Sequence, residues 1–447
     1  MQDTHLNDWI DGSITHSRRL LLDPLFCQQN RVNDKAFTRQ RHFTFMNSML
    51  FLMQKTVRSI QLHVHSFFES LGHSSPGLTP SAWSQARSKL RHTAFEALNE
   101  EAVVKVVYQD HAHPQLRLWR GHRLVGIDSS LVRLPNEEKL GQEYGWVDCS
   151  NKKGECGRYP QGRLSVLTDV LNRIAIQTFF VPWVQGEREL AFKHVLRLEP
   201  WDVALLDRGF AEYRLWAHFE SVRRQFVCRC QASSFGIVNQ LFADNQAGRS
   251  VVVQLVATRD QLEEVRKAGL PEVITLRFVT VRLKTGELEV LATNLLDEAR
   301  YRIDSFGELY HCRWGIETYY GLLKGRLDLG HFSGLSPEAI RQDVYSTIFV
   351  SNLESILIVQ ANQQLKEDSA TLKHRQQVNH VVSFHAIKSH IIALLGSTEP
   401  ISQVVEKLQR LFEANPTVVR PERMVPRAKP SAWRSYYYQR QVRKVVF

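Results

Sequence analysis

The sequence predicts an α/β chain: a core in which strands are followed by alternating helices and strands, with a late β-rich insertion, flanked by helical N- and C-terminal regions. Three observations predict it. Apolar residues recur at helical spacing from about Phe37 to Val107, and again beyond Ser336. Between them, strand-length runs of β-branched and apolar residues alternate with amphipathic stretches of helical length. Finally, an aspartate sits inside the first of those strands and another ends the fourth, where burial of a carboxylate is costly unless it has a partner.

Taken in order, the clearest early helix is "LTPSAWSQARSKLRHTAFEAL". Thr79 suits its N-cap and Pro80 its first helical position. Trp83, Ala86, Leu90, Ala94 and Leu98 form an apolar stripe, with Arg87 and Arg91 on a neighbouring face. Such a basic face is ordinarily solvated; in a DNA-binding chain it docks on phosphates, which makes Arg87 and Arg91 candidate DNA contacts. After Pro114, "RLVGIDSSLVRLP" and "RLSVLTDVLNRIAIQTFFVP" read as three strands, separated by a Gly-, Lys- and Glu-rich loop at Asn136–Pro160. "ERELAFKHVLRL" is a helix, "DVALLDRGF" a buried strand ending at Asp207, "YRLWAHFESVRR" a helix and "FVCRC" a strand. This β-β-β-α-β-α-β order is that of an RNase H-like (retroviral-integrase-type) catalytic core, short of one helix.

Before that helix come "VVVQLVATR" and a hairpin turning at Lys284–Glu287, a β-rich insertion at about 234–296. The missing helix is then "YHCRWGIETYYGLLKGRLDL", Tyr310 to Leu329. The expected division is therefore a helical N-terminal region (1–115), the core with its insertion (116–370) and a helical C-terminal region with a basic aromatic tail (371–447).

The composition is ordinary for a globular chain, 43% hydrophobic and 23% charged over 447 residues, but the net charge is +11. From Val418 to Phe447 there are eight Lys/Arg against one acid, so +7 of that charge lies in the tail. Trp433 and Tyr436–Tyr438 interleave with those cations, as in segments that track a nucleic-acid backbone. Six cysteines without C-x-x-C spacing argue against a zinc site or a disulfide framework. The N-terminus has no apolar signal region, and "YSTIFVSNLESILIVQ" is too short and too interrupted by Asn352 and Glu354 to span a bilayer. A soluble, cytoplasmic protein with no membrane partner is expected.

Asp128, Asp207 and Glu317 are the candidate chemistry. In an RNase H-like sheet the first and fourth strands are neighbours, and the following helix can add a third carboxylate. Hard oxygen ligands of this kind suit Mg²⁺ or Mn²⁺, as two ions about 3.5–4 Å apart for in-line displacement at phosphorus. On one unbroken helix Tyr310, Arg313, Glu317 and Lys324 fall within an arc of about 60°. That edge borders an apolar stripe that includes Ile316, Tyr320 and Leu323. The glycines of this helix, Gly321 above all, read as room for a phosphate backbone.

The spacing Tyr310-x2-Arg313-x3-Glu317-x6-Lys324 matches the Y-x2-R-x3-E-x6-K signature of the family-four bacterial insertion-sequence transposases, of the DDE class. "GIDSSLVRLP" and "LLDRGFAEYRLW" resemble that family's first and second Asp motifs, and "FTRQRHFTFMNSML" and "TPSAWSQARSKLRHTAF" its N-terminal region. The resemblance runs from about Phe37 through Leu329. It implies that Asp128, Asp207 and Glu317 ligate the catalytic metals, and that Tyr310, Arg313 and Lys324 hold phosphates near the transposon end and around a flipped base. It further implies a cut-and-paste transposase that works through a DNA hairpin. The substrates would be double-stranded DNA, as terminal inverted repeats and target, bound by a homodimer on paired ends. No Trp lies between Trp216 and Trp314, so Phe235, Phe242 or Phe278 would take the place of the family's base-stacking tryptophan. The rival readings are a metal-dependent nuclease without strand transfer and a non-catalytic DNA-binding derivative.

Overall fold

The computed structural model describes residues 8–39, 41–55, 59–72, 77–150, 156–283 and 285–420. Lys284 and the tail residues 421–447, with Trp433 and Tyr436–Tyr438, lie outside them. The chain divides into two compact units, one of Met1–His111, Val132–Gly162 and Gly321–Phe447, the other of Ala112–Leu131 and Arg163–Tyr320.

The second unit is built on a mixed sheet. Its strands are β1 (Arg123–Arg133), β3 (Cys156–Asp169), β4 (Ile174–Pro182), β5 (Asp202–Leu206), β6 (Gln225–Cys230), β7 (Ser250–Val256), β8 (Val273–Arg282) and β9 (Leu288–Thr293), with β2 (Trp146–Ser150) in the first unit. The order is β3-β1-β5-β6-β9-β8-β7, with β4 also paired to β3. β1, β5 and β6 run parallel, whereas β9, β8 and β7 continue the same sheet antiparallel. Parallel neighbours need crossover connections, and the helices Glu187–Val195 and Tyr213–Ser221 supply them. β5 is buried along its whole length, as its unbroken apolar run requires. On β6 and the following helix, Trp216 stacks against Phe226 and Phe235 at centroid distances of 5.8 and 4.8 Å. At the start of the register, Arg123 and Asp202 form a buried bidentate pair, both contacts 2.7 Å. The insertion adds the helices Gly236–Asp244 and Arg259–Lys267 to its expected strands.

The first unit is largely helical. Thr79 caps the helix Pro80–Arg87 by accepting from the Ala82 N–H at 3.2 Å. The predicted single helix stops there, however, and a second one covers Thr93–Asn99. Leu90, in the break, bridges with its backbone to Arg31, so the stripe from Trp83 to Leu98 is buried by two short helices instead of one. The loop expected at Asn136–Pro160 also holds structure: a helix Glu138–Tyr144, then β2 paired antiparallel with the opening of β3. Among the described residues no single helix is long and apolar enough to cross a membrane. The bent pair Pro337–Leu357 and Val359–Asp368 comes nearest, and Pro337–Leu357 is buried through most of its length inside this unit.

Candidate active site

Register brings the two aspartates together. β1 and β5 pair as Arg123↔Asp202 through Gly126↔Leu205, and two further steps set Asp128 beside Asp207. Adjacent strands lie about 4.8 Å apart, so both carboxylates leave the sheet at one level. Side chains alternate between faces, so Asp128 emerges on the same face as Gly126. A Cβ on Gly126 would stand 3.2 Å from the Cβ of Ile316 and 3.1 Å from Val170. The helix bearing Ile316 and Glu317 is therefore laid across the face from which Asp128 projects.

Two tyrosines pin that helical segment to the strands. The Tyr310 hydroxyl donates to the Leu206 carbonyl at 3.2 Å, and that of Tyr320 to the Asp128 carbonyl at 2.8 Å, with the Leu164 carbonyl at 3.2 Å. Burial pushes both phenols up, so both remain neutral donors. Tyr310 is buried, so it supports the strand end at Asp207 and does not present its hydroxyl to a phosphate at the surface.

The segment is not one helix. Phe306–His311 and Trp314–Gly325 are separated at Cys312 and Arg313, so the 60° arc does not describe it. Gly315 has a packing role: a Cβ there would come within 3.0 Å of Val170. Gly321 and Gly325 do face open space, with nothing within 4 Å.

Arg313 is buried and donates through Nη2 to Glu317 Oε1 at 2.8 Å, its guanidinium lying near the rings of Tyr310 and Trp314. Burial opposes its charge, yet Tyr310, Glu317 and Asp207 together raise its pKa. Its guanidinium thus faces carboxylates, Glu317 by a direct hydrogen bond and Asp207 by charge. Lys324 is exposed in the last turn of Trp314–Gly325. Arg87 departs further from expectation: it is buried in the first unit and paired with Asp343 at 2.9 Å, unavailable to an external phosphate. Arg91 is exposed as expected. Of the three phenylalanines considered for base stacking, Phe278 is fully buried and Phe235 is stacked on Trp216, whereas Phe242 is half-buried.

Electrostatically the centre is under-compensated. Asp207 Oδ1 is buried without a hydrogen-bond partner. Burial first, then Glu187 and Asp207, push the Asp128 carboxyl up to about 6, against the Ser129 N–H and Arg313. Among the described residues, no three His, Cys, Asp or Glu side chains stand close enough to hold a metal as placed. Glu317 is retained by Arg313. The sequence reading missed Glu187, whose carboxylate accepts from the Ser129 hydroxyl at 3.1 Å. An acid opening a helix reads only as a complement to the helix dipole, so nothing in the sequence marked it.

The folded-state pKa of Asp128, about 6, lies above its ordinary 3.8, so its contribution to stability is present below pH 4 and lost as pH rises through 6. In EDTA, Asp128→Asn is therefore expected to be more stable than the parent chain at pH 7–8, by on the order of 2 kcal/mol, and equal to it near pH 4. Denaturant melts at the two pH values check this; an equal gain at both would mean that the ionised carboxylate is not strained.

A family model described as the transposase DDE domain matches residues 119–353. Transposase InsG for insertion sequence element IS4, from Escherichia coli (strain K12), is 22% identical over 296 residues. The match covers 65% of this chain and 64% of that protein, so the chain spans just under two thirds of its relative's length. A cryo-EM structure of the piggyBac transposase synaptic complex with hairpin DNA aligns over 96% of this chain and 85% of that one. Its identity is 11% and its TM-score 0.39, too remote to bear on the chemistry. The family match takes in Asp128, Asp207 and Glu317 together and extends over more than half of the sequence: the chain belongs to the transposase DDE domain family.

Proposed function

We propose that this chain is a divalent-metal-dependent DNA transposase of an insertion sequence, with an RNase H-like core formed by β1, β3–β6 and the helix carrying Glu317. The observation that supports it most is the register that sets Asp128 beside Asp207 under that helix. An orphaned, buried Asp207 Oδ1 and a strained Asp128 are what a hard cation would satisfy, so the donor set fits Mg²⁺ or Mn²⁺. Asp128, Asp207 and Glu317 would hold such ions, Glu317 being the one that is paired with Arg313 in their absence. When bound, the ions supply Lewis-acid activation of the attacking hydroxyl and stabilise the leaving oxygen.

The chain's own residues do the rest. Tyr310 and Tyr320 set the height of the helix over the strand ends, and Arg313 keeps Glu317 poised beside them. Lys324 and Arg91, both exposed, would hold phosphates of double-stranded DNA at terminal inverted repeats and in the target. A homodimer on paired ends fits the chemistry, because joining two ends to one target takes two such centres.

The test is a duplex carrying the inverted repeats that flank the coding region, incubated with the chain and Mg²⁺. End cleavage followed by joining of the freed 3′-hydroxyl to target DNA is expected, and EDTA should abolish both. Cleavage without joining would make the protein a nuclease; binding with no cleavage would make it a DNA-binding derivative.

A further inference from the structure

We infer that Glu187 is a fourth carboxylate of the acidic centre, a further ligand for a divalent cation held at Asp128 and Asp207. The inference rests on the metal-centre reading above. Glu187 is the first residue of the helix Glu187–Val195, and its two oxygens have different surroundings. Oε2 accepts from the Ser129 hydroxyl at 3.1 Å and lies 3.8 Å from Arg163 Nη1. That same Arg163 nitrogen donates to the Ser129 hydroxyl at 2.9 Å, so Ser129 passes a hydrogen bond on from Arg163 to Glu187. One oxygen is thereby fixed beside the residue that follows Asp128.

Oε1 lies on the other side. It stands 3.2 Å from where a Cβ on Gly209 would be, and Gly209 is two residues past Asp207. Gly209 is not among the glycines with positive φ, so its backbone does not demand glycine. What a side chain there would press on is the Glu187 carboxylate. Glu187 therefore reaches from the segment after Asp128 to the segment after Asp207.

The plainer account is a surface ion pair at a helix N-terminus. It explains little, because Arg163 makes its short contacts with the Ser129 hydroxyl and, at 3.2 Å, the Trp183 carbonyl. It also leaves a further negative charge close to Asp128 and to Asp207, whose Oδ1 has no hydrogen-bond partner. The buried, unpartnered Asp207 Oδ1 is the independent sign that a cation belongs between them.

The experiment is Mn²⁺ titration of the metal-stripped full-length chain, by calorimetry and by electron paramagnetic resonance of free Mn²⁺. The parent chain, Asp207→Asn and Glu187→Gln are compared, with thermal melts in EDTA. Glu187→Gln is expected to weaken Mn²⁺ binding about 10- to 100-fold while melting no lower than the parent, since it removes a like charge and keeps the shape. Mn²⁺ binding unchanged in Glu187→Gln but lost in Asp207→Asn overturns this inference alone. A melting temperature lowered in EDTA makes Glu187 a structural residue and overturns it as well. A parent chain that binds no Mn²⁺ overturns the metal centre itself, and this inference with it.

Discussion

Asp128→Asn, Asp207→Asn and Glu317→Gln are each expected to lower end cleavage in Mg²⁺ about a thousandfold or more, with duplex binding largely kept. A lost metal ligand withdraws several kcal/mol of charge stabilisation from the transition state, and about 1.4 kcal/mol is a factor of ten. The three should differ in stability, which separates their roles. Asp128→Asn relieves a strained charge. Asp207→Asn places an amide where a buried oxygen has no donor, and should be close to neutral. Glu317→Gln leaves the buried Arg313 without its anion and should cost about 1–3 kcal/mol, discounted from the fully buried case because Glu317 is 27% exposed. Cleavage assays, gel shifts and melts on the same preparations decide it. Near-parental cleavage by any one variant removes that residue from the chemistry.

The parts legible in the sequence were those governed by local pattern. Apolar runs announced β5 and the first half of β1, strand-like runs around a hairpin turn announced β7–β9, and the two aspartates stood out because each interrupts or ends such a run. That the two strands are neighbours was expected from the order of elements, but the register Arg123↔Asp202 that sets the level of the aspartates comes only from the folded sheet. The interruption at Cys312–Arg313 was not legible. Helical periodicity continues across it; in the fold the backbone tightens there to i→i−3 bonds, Cys312 to Leu309 and Arg313 to Tyr310, where Arg313 is buried and Gly315 packs close to Val170. The tyrosine pins on the Leu206 and Asp128 carbonyls were hidden for the same reason, because an aromatic on an apolar stripe gives no sign that its hydroxyl will find a distant backbone oxygen. Glu187 comes from a loop-to-helix junction far along the chain from Asp128, and only folding shows their proximity.

Arg87 tests the same boundary between pattern and packing, and its removal should have the largest effect on stability. On a helical wheel it is indistinguishable from Arg91, yet the two are expected to fail in opposite ways. Arg87 donates through Nη2 to Asp343 and to the Ala339 carbonyl, through Nε to Gln342 and through Nη1 to Ser333, at 2.7–2.9 Å. Asp343 also accepts from the Ser333 N–H at 2.7 Å, so the network closes on itself. Arg87→Met leaves the buried Asp343 with the Ser333 donors but without its guanidinium, and should cost about 3–5 kcal/mol, while the DNA affinity of the folded fraction and its salt dependence stay as they were. Arg91→Ala removes an exposed cation: stability should hold within about 0.5 kcal/mol, and the slope of log affinity against log salt should fall by about one. A salt slope lowered by Arg87→Met with stability intact would return Arg87 to the DNA surface. The double variant Arg87→Met/Asp343→Leu sharpens the argument. If the cost is that of an unpaired buried charge, deleting both partners should recover much of the lost stability, because apolar groups of similar volume can replace a buried pair at little net cost.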